Sequence, residues 1–98
     1  MIRIDVLSQD PGQAVMRVAG EVWLDYEIAL VAQEGKRCLQ TSKLLVLDLE
    51  HLQRLSDRTL PLLKEWQAEG RLQIRDWHYL IDFKLRHHGL ANEQESRL

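Results

Sequence analysis

The chain is poor in the features that usually announce a chemistry. Its single cysteine, Cys38, rules out an internal disulfide framework and a multi-cysteine zinc site, and it suits a reducing cytoplasm. No apolar stretch approaches the ~20 residues that cross a bilayer, so direct membrane insertion is not expected. Arg3 and Asp5 break up the opening residues, which is not the pattern of a secretory leader. Neither charge is in excess: 13 Lys and Arg stand against 15 Asp and Glu, a net −2 with the four His neutral. A nucleic-acid binder needs a concentrated basic face, and this balance argues against one. The five glycines form no phosphate-cradling loop, and neither metal-ligand spacing nor an activated nucleophile is present. No catalytic residue, cofactor or metal is therefore expected. Repeats, low-complexity tracts and linkers are also missing, and 98 residues make one domain.

What is present is alternation between two periods. Ile2, Ile4 and Val6 alternate with Arg3 and Asp5, the pattern of a half-buried strand. Ser8 to Gln13 supplies turn residues, and Ala14 to Ala19 reads as a second strand stopped by Gly20, giving an antiparallel hairpin. From Leu24 the period becomes helical, with Ile28, Val31, Gly35, Cys38 and Leu39 on one face and Asp25 as N-cap. Leu44 to Leu49 is apolar on both faces, as in an inner strand covered by helices. Leu60 to Glu69 is a helix with Leu60, Leu63 and Trp66 inward and Gly70 as its stop. Pro61 confines the N-cap to the stretch from Asp57 to Thr59. Arg71 to Arg75 alternates as a fourth strand. Asp76 is expected to cap a last helix whose inner face holds Trp77, Leu80, Ile81, Leu85 and His88, ending at Gly89-Leu90. The order predicts an α/β fold: a small mixed four-stranded sheet, hairpin then parallel crossovers, with about three principal helices. The domain is expected over residues 1–90, with 91–98 a flexible tail.

A few side chains stand apart from this scaffold. Asp48 and His51 follow a buried strand, where α/β folds form ligand crevices, and a crevice of Asp48, His51 and Asp57 would describe a small enzyme. His87 and His88 are adjacent, so they point about 100° apart on a helix and make poor co-ligands for a metal. Among the three tryptophans, Trp66 and Trp77 fall on core stripes. Trp23 precedes the first helix at a turn, where it is either core or, if exposed, an interface anchor.

Three stretches together resemble the STAS family, shared by anti-sigma-factor antagonists and the cytoplasmic tails of sulphate transporters. They are Met16 to Val22, similar to the family's strand ending in Gly-Glu-Leu; Leu44 to Leu52, like its buried strand ending in Asp-Leu; and the spacing from Asp48 through the Leu60 helix to Gly70 and Gly89-Leu90. The resemblance implies a STAS-like fold and a bacterial, cytoplasmic, non-enzymatic regulator that binds a protein partner. That partner would be an anti-sigma factor or a serine-kinase-type regulator; an accessory role on the ATPase subunit of a lipid-transporting ABC system is the alternative, and a homodimer is compatible with either. In the family a serine at a helix N-terminus, where free N–H groups and the helix dipole favour an anion, is phosphorylated by the partner kinase. Laid without gaps from Asp48, that motif falls on Ser56 to Leu60, and the acceptor position holds Asp57. Control by phosphorylation at the usual serine is therefore not expected. Asp57 is either an N-cap or a fixed charge in place of the phosphate, and Ser56 and Thr59 are either turn and cap residues or displaced acceptors. The partner-binding residues implied are Trp23, Ser56, Asp57, Arg58 and Thr59.

Overall fold

The computed structural model describes residues 1–90; the expectation for 91–98 lies outside the described residues. Strands β1 (Arg3–Gln9) and β2 (Gln13–Val22) form the antiparallel hairpin. Its turn is closed by Asp10, whose Oδ1 accepts the backbone N–H groups of Gly12 and Gln13 at 2.8 and 2.9 Å. Helix α1 (Asp25–Thr41) leads to β3 (Leu44–Leu49), which lies parallel to β2. Then come β4 (Leu52–Leu55), a 3-10 turn (Asp57–Thr59), α2 (Leu60–Ala68), β5 (Leu72–Trp77) and α3 (Tyr79–His87). The sheet runs β1-β2-β3-β5 and is mixed, with β5 parallel to β3.

The fifth strand, β4, pairs in parallel with Gly20–Val22 of β2, beyond the part of β2 that β3 occupies. Its four residues are buried, exposed, exposed and buried, so the period of two never shows. Gly20 does not stop β2. It takes a positive φ of 88° inside the strand, where a Cβ would stand 2.0 Å from the Met1 carbonyl oxygen.

Two helix starts also differ from expectation. Leu24, not Asp25, is the N-cap of α1, and the capping oxygen comes from inside the helix: Glu27 Oε1 accepts the N–H groups of Leu24 and Trp23 at 2.9 and 3.1 Å. Hydrogen bonding from the Leu24 N–H, against the cost of burial, holds the Glu27 carboxyl below its usual range. Asp76 does not cap α3, because β5 continues to Trp77 in register with Leu49. His78 is the cap, its Nδ1 accepting the Leu80 N–H at 3.1 Å. On the helix Ile81 and Leu85 are buried as expected, but Leu80 is exposed. At the C-terminus Gly89 adopts a φ of 77° and the Leu90 N–H reaches the Leu85 carbonyl at 3.0 Å, the expected glycine ending.

A single core fills the space between sheet and helices. Met16 and Val18 of β2, Leu45, Leu47 and Leu49 of β3, and Ile74 of β5 meet Val31 and Cys38 of α1, Leu63 and Trp66 of α2, and Leu85 of α3. Burial pushes the Cys38 thiol up, keeping it protonated and unreactive. Arg71 closes the far end of the sheet, donating to the Leu39, Ser42 and Lys43 carbonyls where α1 ends.

Candidate protein-docking surface

The end of β2, the end of β4 and the 3-10 turn converge at Trp23. Its side chain is 39% exposed, so of its two readings the structure gives the surface one. The Arg54 guanidinium lies over the indole, 3.7 Å from the ring centroid. Arg58 donates to the Trp23 carbonyl at 3.3 Å and pairs with Asp25. Around the ring Arg54 also pairs with Glu21 at 3.4 Å, and Lys84 from α3 pairs with Asp57 at 2.9 Å. Each of these exposed pairs contributes little to stability. Together they surround Trp23 and the turn with paired charges.

Within the turn the four side chains separate. Ser56 is buried at 6% exposure and its Oγ accepts the Arg58 N–H at 3.2 Å, which makes Ser56 the cap of the 3-10 turn. Asp57 projects outward at 76% exposure. The hydrogen bond and charge of Lys84 hold its carboxyl below the usual range, so it stays ionised at neutral pH. Thr59 caps α2 by position but its side chain bonds nothing there. It is 1% exposed beside a small apolar gap lined by Val22, Leu52, Leu55 and Leu63. Among the described residues its Oγ1 is the buried side-chain polar atom without a hydrogen-bond partner. An unpaired buried hydroxyl costs about 1–3 kcal/mol. Thr59→Val, similar in shape, is expected to raise stability by about 1 kcal/mol, or ~4–8 °C in melting temperature. A lower melting temperature would show that the hydroxyl has a partner.

Asp48, His51 and Asp57 do not assemble into one crevice. Asp48 is 1% exposed on the sheet face opposite the core, where Arg17 and Arg75 pair with its Oδ2 at 3.1 and 3.4 Å. Asp57 is engaged by Lys84, and the His51 side chain is exposed. His87 and His88 meet edge to face with centroids 5.5 Å apart, and His87 stacks on Phe83. No group of three potential metal ligands occurs among the described residues. Trp66 is core at 4% exposure; Trp77 is partly buried against the core and donates to Asp82 at 2.6 Å. Asp25, Arg54 and Lys84 were not legible as site residues, since each reaches the surface from a different element.

No protein-family model matches the chain, and no curated protein matches it in sequence. Among solved structures, the anti-sigma factor antagonist SpoIIAA in its unphosphorylated form aligns over 99% of this chain and 93% of its own, with a TM-score of 0.65 and 14% identity. The fold is that of SpoIIAA. The mixed sheet and three helices of this chain are therefore SpoIIAA-like, as the resemblance in sequence implied. No helix among the described residues is long and apolar enough to cross a membrane.

Proposed function

We propose that the protein is a non-enzymatic regulatory domain of the anti-sigma-factor-antagonist type, acting in a bacterial cytoplasm. It docks a protein partner, an anti-sigma factor or serine-kinase-type regulator, through Trp23 and the turn from Ser56 to Thr59. The observation that carries this reading is the half-exposed Trp23, stacked under Arg54 and tied through Arg58 to that turn. Tryptophan and arginine are the residue types on which interface energy concentrates. In this reading the surface is set permanently. Asp57 supplies a constant negative charge, and the Ser56 and Thr59 hydroxyls are covered by their own fold.

The test is to mix the protein with such a regulator from the same genome, with ATP. A stable complex is expected, with no phosphate on Ser56 or Thr59. Arg58→Glu reverses a charge at the centre of the surface and is expected to weaken the complex by about 10- to 100-fold. Stoichiometric phosphoserine at Ser56 would overturn the permanent setting, and failure to form any complex would overturn the docking itself. Asp57→Ser is expected to give the kinase an acceptor where the natural chain offers none.

A further inference from the structure

Helix α3 turns an apolar face outward. Tyr79 and Phe83 are 78% and 79% exposed and Leu80 is more than half exposed, while Ile81 and Leu85 hold the inner face. A second apolar patch lies at the start of α1. There Trp23, Leu24 and Tyr26 line one shallow groove with Glu21 and Arg54, and Leu24 and Tyr26 are more than half exposed. Lys84 stands between the patches: it is one turn after Leu80, reaches Asp57 at 2.9 Å and lies 5.7 Å from the Trp23 ring centroid. Exposed apolar surface on this scale usually has a function.

Charge selects no unlike partner here. Arg54, Arg58, Lys84 and Arg86 are each paired with an acid, Glu21, Asp25, Asp57 and Asp82 in turn. These pairs cancel, so the surface presents no field to an acidic helix, a basic one or an anionic bilayer. Two copies meet without repulsion for the same reason, and a net −2 does little to keep them apart. Area is sufficient once both patches are counted. Aromatic side chains carry ~150–250 Å², so the four here at their exposures, with the two leucines, offer roughly 500–800 Å² per copy. A dimer closing both patches would bury about 1,000–1,600 Å² in all, reaching the ~1,200–2,000 Å² of stable interfaces, whereas two copies of α3 alone fall short. An unrelated chain would bury as much, so the choice rests on matching and supply. Two similar apolar patches on either side of one ion pair suit a two-fold axis: each finds its counterpart on the other copy, and neither is left bare. A second copy is also present wherever the chain is, as a regulator need not be.

We infer that the occupant is a second copy of this chain, in a two-fold dimer that sets Tyr79, Leu80 and Phe83 of each copy against Trp23, Leu24 and Tyr26 of the other, with the Lys84–Asp57 pairs near the axis. The dimer closes the docking surface, so the regulator binds the single chain. That consequence rests on the docking reading above; the dimer itself does not. Sedimentation equilibrium of the intact protein is expected to show a dimer of micromolar or tighter affinity. Phe83→Asp and Trp23→Ala both change exposed side chains, with an unchanged melting temperature as the check on folding, and each is expected to weaken the dimer at least tenfold. Mixing the two variants tests the crosswise arrangement. One intact Phe83–Trp23 contact survives in the mixed dimer, so the mixture is expected to associate more tightly than either variant alone. Added regulator is expected to split the wild-type dimer. A single chain throughout the micromolar range, or a mixture no tighter than its components, overturns the dimer and leaves the docking reading standing. A regulator that binds the dimer without splitting it overturns docking at Trp23 and leaves the dimer standing. Phe83-dependent binding of a single chain to phospholipid vesicles or to the regulator replaces the second copy with that occupant.

Discussion

Trp66→Ala is expected to cost about 3–5 kcal/mol in urea unfolding, the range for removing a large buried aromatic. The indole, 4% exposed, is the piece of α2 that seats against α1, and it does so over Gly35. A Cβ at Gly35 would stand 2.4 Å from the Trp66 Cη2 and 3.0 Å from its Cζ3. Glycine in a helix interior ordinarily costs about 1 kcal/mol relative to alanine. Here the packing of a rigid ring outweighs that preference, and Gly35→Ala is expected to destabilise by about 1–3 kcal/mol. The two substitutions should therefore not add. With Trp66 already alanine the obstacle is gone, and Gly35→Ala is expected to stabilise by up to about 1 kcal/mol. If Gly35→Ala has the same effect in both backgrounds, the glycine is not there for the ring.

The same contact illustrates what was legible in the sequence. Gly35 and Trp66 both sit at helical spacing among apolar residues, so their inward direction follows from periodicity, although their meeting does not. Leu44 to Leu49 reads as an inner strand because a run so apolar must be covered. β4 does not, because a four-residue strand with Gln53 and Arg54 exposed in its middle has no period to detect. The start of α3 is misread for a related reason: Asp76 is a good capping residue chemically, but pairing of Trp77 with Leu49 keeps the chain extended, and the cap passes to His78. Leu80 stays on the surface because the buried stripe of this short helix narrows to Ile81 and Leu85. In the docking surface, Pro61 and the short polar residues before it mark the turn, and the departure at Asp57 is visible at once. Its Lys84 partner is not, because that pairing depends on how α3 lies against β4, which no local pattern encodes.

Asp48→Asn is expected to cost about 2–4 kcal/mol at neutral pH, with a pH dependence that identifies the cause. Burial alone would raise this carboxyl, but the Glu50 N–H at 3.1 Å and the hydrogen bond and charge of Arg17, with the charge of Arg75, outweigh it and hold the group below its usual range. Removing the buried partner of an ion pair is costly, and the value falls below the extreme because Arg17 and Arg75 are 34% and 43% exposed and regain water. A carboxyl whose folded pKa lies below its unfolded pKa contributes its full stability above the unfolded value, ~3.9, and loses it as pH falls through the folded value. The gap between wild type and Asp48→Asn should thus be constant from pH 7 to about pH 5, then narrow as the pH falls below the unfolded value. Asp57 and Asp82, also held low by Lys84 and Arg86, give both proteins a shared decline in acid that cancels in the difference. Urea unfolding of the two proteins at pH 7 and near pH 3 separates the cases. A gap of equal size at both pH values would mean that the asparagine disturbs packing on the sheet face, and that the charge of Asp48 is not what joins β2, β3 and β5 there.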